Sequence, residues 1–135
     1  MIYLCGSGIG SIENLTVKAK RIIEECDVLM IWGSTPLDIV NLAKGDLINT
    51  SMLNLVDTVR IMEICHKEGK NVVRMHDGDL SIYGCIQEEI EELDKRKIPW
   101  ECVPGISAFQ VLSSRLGREL ALPGISLSII ITRCN

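Results

Sequence analysis

The sequence predicts an α/β domain: a largely parallel, five-stranded sheet with helices on both faces. Three observations carry that prediction. Strand-like and helix-like patterns alternate from the first residue onward, the order in which crossover helices join parallel strands. The strand candidates are short apolar runs, as strands covered on both faces require. Polar, glycine-bearing loops follow the strand patterns and precede the helix patterns, at the sheet end where open α/β folds bind their ligands.

Each element has its own justification. Ile2-Tyr3-Leu4-Cys5 reads as a buried strand ending in glycines, and Leu15, Ala19, Ile22, Ile23 and Cys26 recur at helical spacing. Val28-Leu29-Met30-Ile31-Trp32 is a second strand, closed by Gly33. Residues 36–43 form a short helix entered through Pro36, and Leu47-Ile48 forms a short strand. Leu55, Val59, Met62 and Cys65 mark a helix stopped by Gly69. Residues 72–75 are the fourth strand. Ile82, Ile86, Ile90 and Leu93 then share one helix face, with Gln87, Glu88, Glu91 and Glu92 opposite, an acidic run expected to be a solvated face. Trp100-Glu101-Cys102-Val103 is the fifth strand, and Ala108, Val111, Leu112 and Leu116 mark the helix after it. The first domain is thus expected over residues 1–119, a linker over 120–125, and the opening strand of a second domain over 126–135. Within the last stretch, 126–132 is the clear strand pattern, and it is expected to be captured by another chain first, or else by an edge of its own domain or by disorder.

Composition narrows the functional classes. The 135 residues carry 14 basic and 18 acidic side chains, a net charge of −4, which argues against a nucleic-acid surface with its concentrated basic stripe. No apolar run approaches the length of a membrane span, and the start lacks the basic and hydrophobic regions of a signal peptide. The six cysteines (Cys5, Cys26, Cys65, Cys85, Cys102, Cys134) contain no Cys-x-x-Cys and form no Cys/His set at metal-ligand spacing. They are expected to be reduced and mostly buried, in a cytoplasmic protein without a metal centre.

Gly6-Ser7-Gly8-Ile9-Gly10 follows the first strand and precedes a helix, like half of a dinucleotide fingerprint. Ser11 occupies the place of the third glycine, and the second strand ends in Trp32-Gly33 rather than a ribose-binding acid, which argues against a nicotinamide or flavin site. No Gly-Lys-Ser/Thr follows, so it is not a P-loop. Asp77-Gly78-Asp79 is either turn chemistry or an acidic ligand loop. His76 has no metal-spaced partner and reads as orienting or structural. No nucleophile–base pair is evident, so any chemistry here depends on positioning, and no catalytic residue is assigned.

Four segments together resemble the tetrapyrrole methylases, the class III S-adenosylmethionine methyltransferases. They are Gly6-Ser7-Gly8-Ile9-Gly10 with Leu15-Thr16-Val17-Lys18-Ala19, then Asp77-Gly78-Asp79-Leu80-Ser81-Ile82-Tyr83-Gly84, then Val103-Pro104-Gly105-Ile106-Ser107-Ala108, and Gly117-Arg118-Glu119-Leu120-Ala121-Leu122-Pro123. The fourth segment, with Trp32-Gly33-Ser34, resembles the branch that methylates precorrin-4 or cobalt-precorrin-4 at C11 in cobalamin (porphyrin-type) biosynthesis.

The resemblance implies a two-domain homodimer that binds S-adenosylmethionine and releases S-adenosylhomocysteine. It matches Asp77, Gly78, Asp79 and Ile82 to the first cofactor loop, Ser107 and Ala108 to the second, and Gly6, Gly8 and Gly10 to the tetrapyrrole side. Arg74, Arg118 and Arg133 are candidates to meet the substrate's carboxylates, each with a solvated surface role as the plainer alternative. Ile9 and Ser11 stand where the family loop has proline and an acid, and Leu80 replaces a second proline. The first domain alone is expected to be inactive. The alternatives are another tetrapyrrole methylase (acting on precorrin-2, precorrin-3 or uroporphyrinogen) and a non-catalytic α/β binding module.

Overall fold

The computed structural model describes residues 1–132. Its strands β1 (Ile2–Gly6), β2 (Val28–Ile31), β3 (Asp46–Asn49), β4 (Val72–His76) and β5 (Trp100–Val103) form one sheet in the order β3-β2-β4-β1-β5. Every pairing is parallel. Helices α1 (Val17–Glu25) and α2 (Leu37–Val40) carry the chain from β1 through β2 to β3 at one edge. Helices α3 (Leu55–Lys67) and α4 (Ile86–Lys95) bring it back through β4 to β5 at the other, and α5 (Ala108–Leu116) follows.

The two directions of travel occupy opposite faces. Ile2, Leu4, Val28, Met30 and Val72 point to the α3–α4 side, where Val59, Met62, Cys65 and Leu93 cover them. Cys5, Leu29, Ile31, Val73 and Met75 point to the α1–α2 side, against Ala19, Ile22, Ile23 and Ile39. Adjacent residues of one strand therefore feed different cores, which is why the strands read as continuous apolar runs. Each fully buried Leu, Ile, Val or Met contributes about 1.5–3 kcal/mol. Of the cysteines, Cys5, Cys26 and Cys65 are buried and free as expected, whereas Cys85 is exposed and Cys134 lies outside the described residues. Burial pushes the Cys5 thiol up to about 12 and that of Cys26 to about 11.

Local signals start the helices. Thr16 accepts from the Ala19 N–H at 3.1 Å and Asn54 from the Asp57 N–H at 2.9 Å, each satisfying a free donor of a first turn. Gln110 reaches back to the Ser107 N–H at 3.0 Å at the head of α5.

Two expectations need correction. Ile82 does not continue the α4 face; it lies in a turn, and the helix begins at Ile86. The Asp79 carboxylate accepts from the Ser81 N–H at 2.9 Å, and left-handed Tyr83 (φ 56°) and Cys85 (φ 51°) exclude helical geometry between them. Nor do residues 126–132 form a strand. Among the described residues only the isolated Leu122–Ser126 bridge occurs there, because no neighbouring strand offers a ladder. Residues 133–135 of the expected second domain lie outside the described ones.

The carboxyl ends of β1, β4 and β5 meet backbone on backbone. A Cβ on Gly6 would stand 2.6 Å from the Gly78 carbonyl oxygen, and one on Gly105 would stand 2.1 Å from the same atom. Gly8 and Gly78 exchange N–H···O bonds of 3.1 and 2.7 Å, and the Ser7 N–H donates to the His76 carbonyl at 2.8 Å. Asp79 staples the third loop by accepting from the Gly105 N–H at 2.9 Å through one oxygen. Its other oxygen holds the Ser81 N–H and hydroxyl. Partial burial would raise the Asp79 carboxyl, but these hydrogen bonds outweigh it and hold it below its ordinary value of 3.8.

Gly105→Ala is therefore expected to lose about 2–3 kcal/mol, the cost of forcing a methyl into closed space, read as a lowered midpoint in denaturant. Gly117→Ala, where a Cβ meets nothing within 4 Å and only φ +59° resists, should lose about 1 kcal/mol. Asp79 adds a pH signature. Its ionised form is favoured in the fold, so its contribution is present above the ordinary value of 3.8 and fades as pH falls through the lower folded value. Asp79→Asn should cost about 1–2 kcal/mol at neutral pH and show a shallower loss of stability below about pH 4, measured by thermal melting across pH.

Candidate functional site

A cavity of about 550 Å³ opens above the loop junction. Gly8 and Gly10 come to it from the loop after β1, and Asp77, Gly78, Asp79, Ile82 and Tyr83 from the loop after β4. Ser107, Ala108 and Phe109 enter from the start of α5. Ile9, Pro36 and Ile131 complete largely apolar walls, with Ser34 at one side. Residues 70–100 positions apart converge here because β1 lies between β4 and β5. The volume lies in the range of small-molecule and cofactor sites.

Of the residues singled out in the sequence, Gly8, Gly10, Asp77, Gly78, Asp79, Ile82, Ser107 and Ala108 all line this one cavity. Gly6 does not; it is buried beneath Gly78 and Gly105, and its lack of a side chain is spent on packing the loops. Both Asp79 oxygens are likewise engaged within the protein, whereas Asp77 is an exposed carboxylate on the cavity wall. Gly10 has φ +76°, and a Cβ there would approach Pro36 Cγ to 2.9 Å. The loop thus stays narrow only with glycine.

A second cavity of about 460 Å³ adjoins the first, sharing Asp77 and Tyr83 and lined also by Trp32, Arg74, His76, Cys85 and Glu89. It contains a buried charged network. Arg74 is 7% exposed and Glu89 6%. Arg74 Nη1 donates to Thr50 Oγ1 at 2.8 Å, and its Nε to Glu89 Oε1 at 3.4 Å. Thr50 in turn donates to the Ile31 carbonyl at 2.9 Å, tying the end of β2 into the network. Glu89 Oε2 stands 3.2 Å from His76 Nε2 without the alignment of a hydrogen bond, so both atoms are buried and unpartnered among the described residues. Burial pushes the Glu89 carboxyl up, but His76 and Arg74 beside it pull harder and leave it below its ordinary value of 4.5.

This network corrects one sequence expectation. Arg74 is neither a free cation for substrate nor a surface residue; it is the buried partner of Glu89. His76, read as orienting or structural, is faced by the Glu89 carboxylate. Gln87, Glu88 and Glu91 are exposed, as a solvated acidic face requires, while Glu89, outside that set, points inward. The signal was available: Glu89 falls between Ile86 and Leu93 on the apolar stripe, and Arg74 interrupts an otherwise apolar buried strand. Arg118 is exposed, and Arg133 lies outside the described residues. No helix of the described residues is long and apolar enough to cross a membrane.

Known proteins share this arrangement. The chain is 38% identical over 134 residues to the precorrin-4 C(11)-methyltransferase of Pseudomonas aeruginosa, covering 98% of this chain and 54% of the relative. It is also 38% identical to the cobalt-precorrin-4 C(11)-methyltransferase of Methanocaldococcus jannaschii, covering 98% and 52%. The chain thus spans about half the length of these curated relatives. A crystal structure of a cobalt precorrin-4 methyltransferase superposes with a TM-score of 0.96 at 29% identity, over 99% of this chain and 57% of that one. The uroporphyrin-III C-methyltransferase of Thermus thermophilus, solved with S-adenosylhomocysteine, gives 0.75 at 28% identity, over 92% and 51%. A sequence model of the tetrapyrrole (corrin/porphyrin) methylases matches residues 1–135, and with the shared fold and loops this establishes that the chain belongs to that family.

Proposed function

We propose that the protein acts in the S-adenosylmethionine-dependent C-methylation of precorrin-4, or its cobalt form, at C11 in cobalamin biosynthesis. The observation that supports this most is the identity shared along nearly the whole chain with two methyltransferases named for that reaction. By the same resemblance the working form is a cytoplasmic homodimer of two-domain chains, with residues 1–119 as the first domain. Activity belongs to the complete protein.

The cavity suits this chemistry. S-adenosylmethionine supplies a methyl group on a sulfonium, already a good leaving group. The exposed Asp77 carboxylate attracts the cationic end of such a molecule, and Ile9, Pro36, Ile82 and Phe109 offer it apolar walls that exclude water. Asp79 acts at one remove, holding the Ser81 and Gly105 loops in the shape the ligand meets. Gly8 and Gly10 present bare backbone on the other side, where the acceptor ring can approach closely. Orientation of the two reactants is worth up to about 7–11 kcal/mol in favourable cases, and the transfer step itself demands no metal.

Calorimetry on the complete protein should detect S-adenosylmethionine, and Asp77→Asn should weaken it about fivefold, the worth of an exposed ion pair of about 1 kcal/mol. Unaltered affinity would remove Asp77 from the site, and absence of any binding would favour a non-catalytic module. Gly10→Val should raise the KM for the tetrapyrrole more than it weakens the cofactor. The reverse pattern would exchange the two ligands between loops. Turnover of uroporphyrinogen in place of precorrin-4 would move the acceptor to another branch of the family. Sedimentation at micromolar concentration should show a dimer.

A further inference from the structure

We propose that His76, backed by Glu89, accepts the proton that the acceptor ring must lose once it carries its new methyl group. The proposal rests on the methyltransferase reading above. In that reaction an electron pair of the ring system forms the new C–C bond, and the S–C bonding pair stays on sulfur, which leaves as a neutral thioether. The acceptor is then a cation. It returns to neutrality by giving up a ring N–H proton, whose bonding pair stays with the ring. The proton passes to the imidazole, forming an imidazolium, and then to water.

Three observations place His76 in that role. It lines the second cavity, which shares the Asp77 and Tyr83 walls with the first. A macrocycle with its reacting carbon in the first cavity can therefore extend a ring edge into the second. The side chains of His76 and Glu89 are both buried, and their facing atoms are unpartnered among the described residues at 3.2 Å. Buried polar atoms in native proteins are rarely left so. A proton on the ring turns that approach into a charge-assisted pair. Arg74, the nearest other charged group on β4, has no acceptor lone pair and is held by Glu89 and Thr50.

The titratable and charged groups lining the cavity with His76 are Arg74, Asp77 and Tyr83 from β4 and its loop, and Cys85 and Glu89 from the head and body of α4; Thr50 reaches the network through Arg74.

The test uses the complete protein with His76→Gln and His76→Ala. Both should keep their affinity for S-adenosylmethionine by calorimetry while kcat falls roughly 100-fold, the lower range for a positioned proton acceptor. Added imidazole should restore part of the kcat of His76→Ala. The acidic limb of the wild-type kcat–pH profile should flatten in His76→Gln. Wild-type kcat in His76→Gln, or a lowered kcat with no imidazole rescue and an unaltered pH profile, would overturn the proposal and leave the methyltransferase reading intact. A wild-type protein that methylates no tetrapyrrole would overturn that reading, and this proposal with it.

Discussion

The rest of the structure depends on three backbones being allowed to touch. Gly6, Gly78 and Gly105 end or follow strands that are neighbours in the sheet, and a single added carbon at Gly6 or Gly105 would collide with the Gly78 carbonyl. With that contact in place, Gly8 and Gly78 pair, Asp79 reaches across to Gly105, and the loops stand as one rigid rim. The cavity is the space above this rim. Its residues are supplied by loops, but its shape follows from main-chain packing, so the site inherits the precision of the sheet.

Beside the rim, the protein buries charge. Removing one member of a buried ion pair typically costs about 3–5 kcal/mol because the other is left without compensation. Arg74 and Glu89 therefore hold α4 against β4, and Thr50 extends the tie to the end of β2. His76 Nε2 and Glu89 Oε2 are the atoms of this cluster left without a hydrogen bond among the described residues. The second cavity thus combines a firmly fixed scaffold with one polar pair still open. That contrast sets it apart from the first cavity, whose walls are mostly apolar.

Much of this was legible in the sequence, and what was not has physical reasons. Continuous apolar runs marked β1, β2 and β4 because both faces of the sheet centre are covered, whereas the edge strands β3 and β5 carry shorter or mixed patterns. The glycine and Asp-Gly loops marked the site because close backbone approach and tight turns leave few choices of residue. Ile82 was placed on a helix because its spacing from Ile86 is helical; the Asx turn at Asp79 and the left-handed Tyr83 are local events that override periodicity. Gly6 was assigned to a ligand because sequence cannot distinguish a glycine that meets a ligand from one that meets another loop. The Arg74–Glu89 pair escaped because it joins positions 15 apart, and Arg74 and Glu89 each read more simply alone. The strand pattern at residues 126–132 is amphipathic enough to form one, but a strand exists only where a neighbour completes its hydrogen bonds.

The pairing of Gly8 with Gly78 closes a loop spanning half the chain, and Gly6 with Gly105 spans more. These contacts cap the β1–β4 and β1–β5 pairings and bridge equally long separations, so they carry the same loop-closure cost as the sheet itself. The binding rim therefore stands only where β1, β4 and β5 are assembled side by side. Recognition of a small molecule at this rim thus reports on the whole fold, and its binding free energy adds to global stability rather than to that of a local lid.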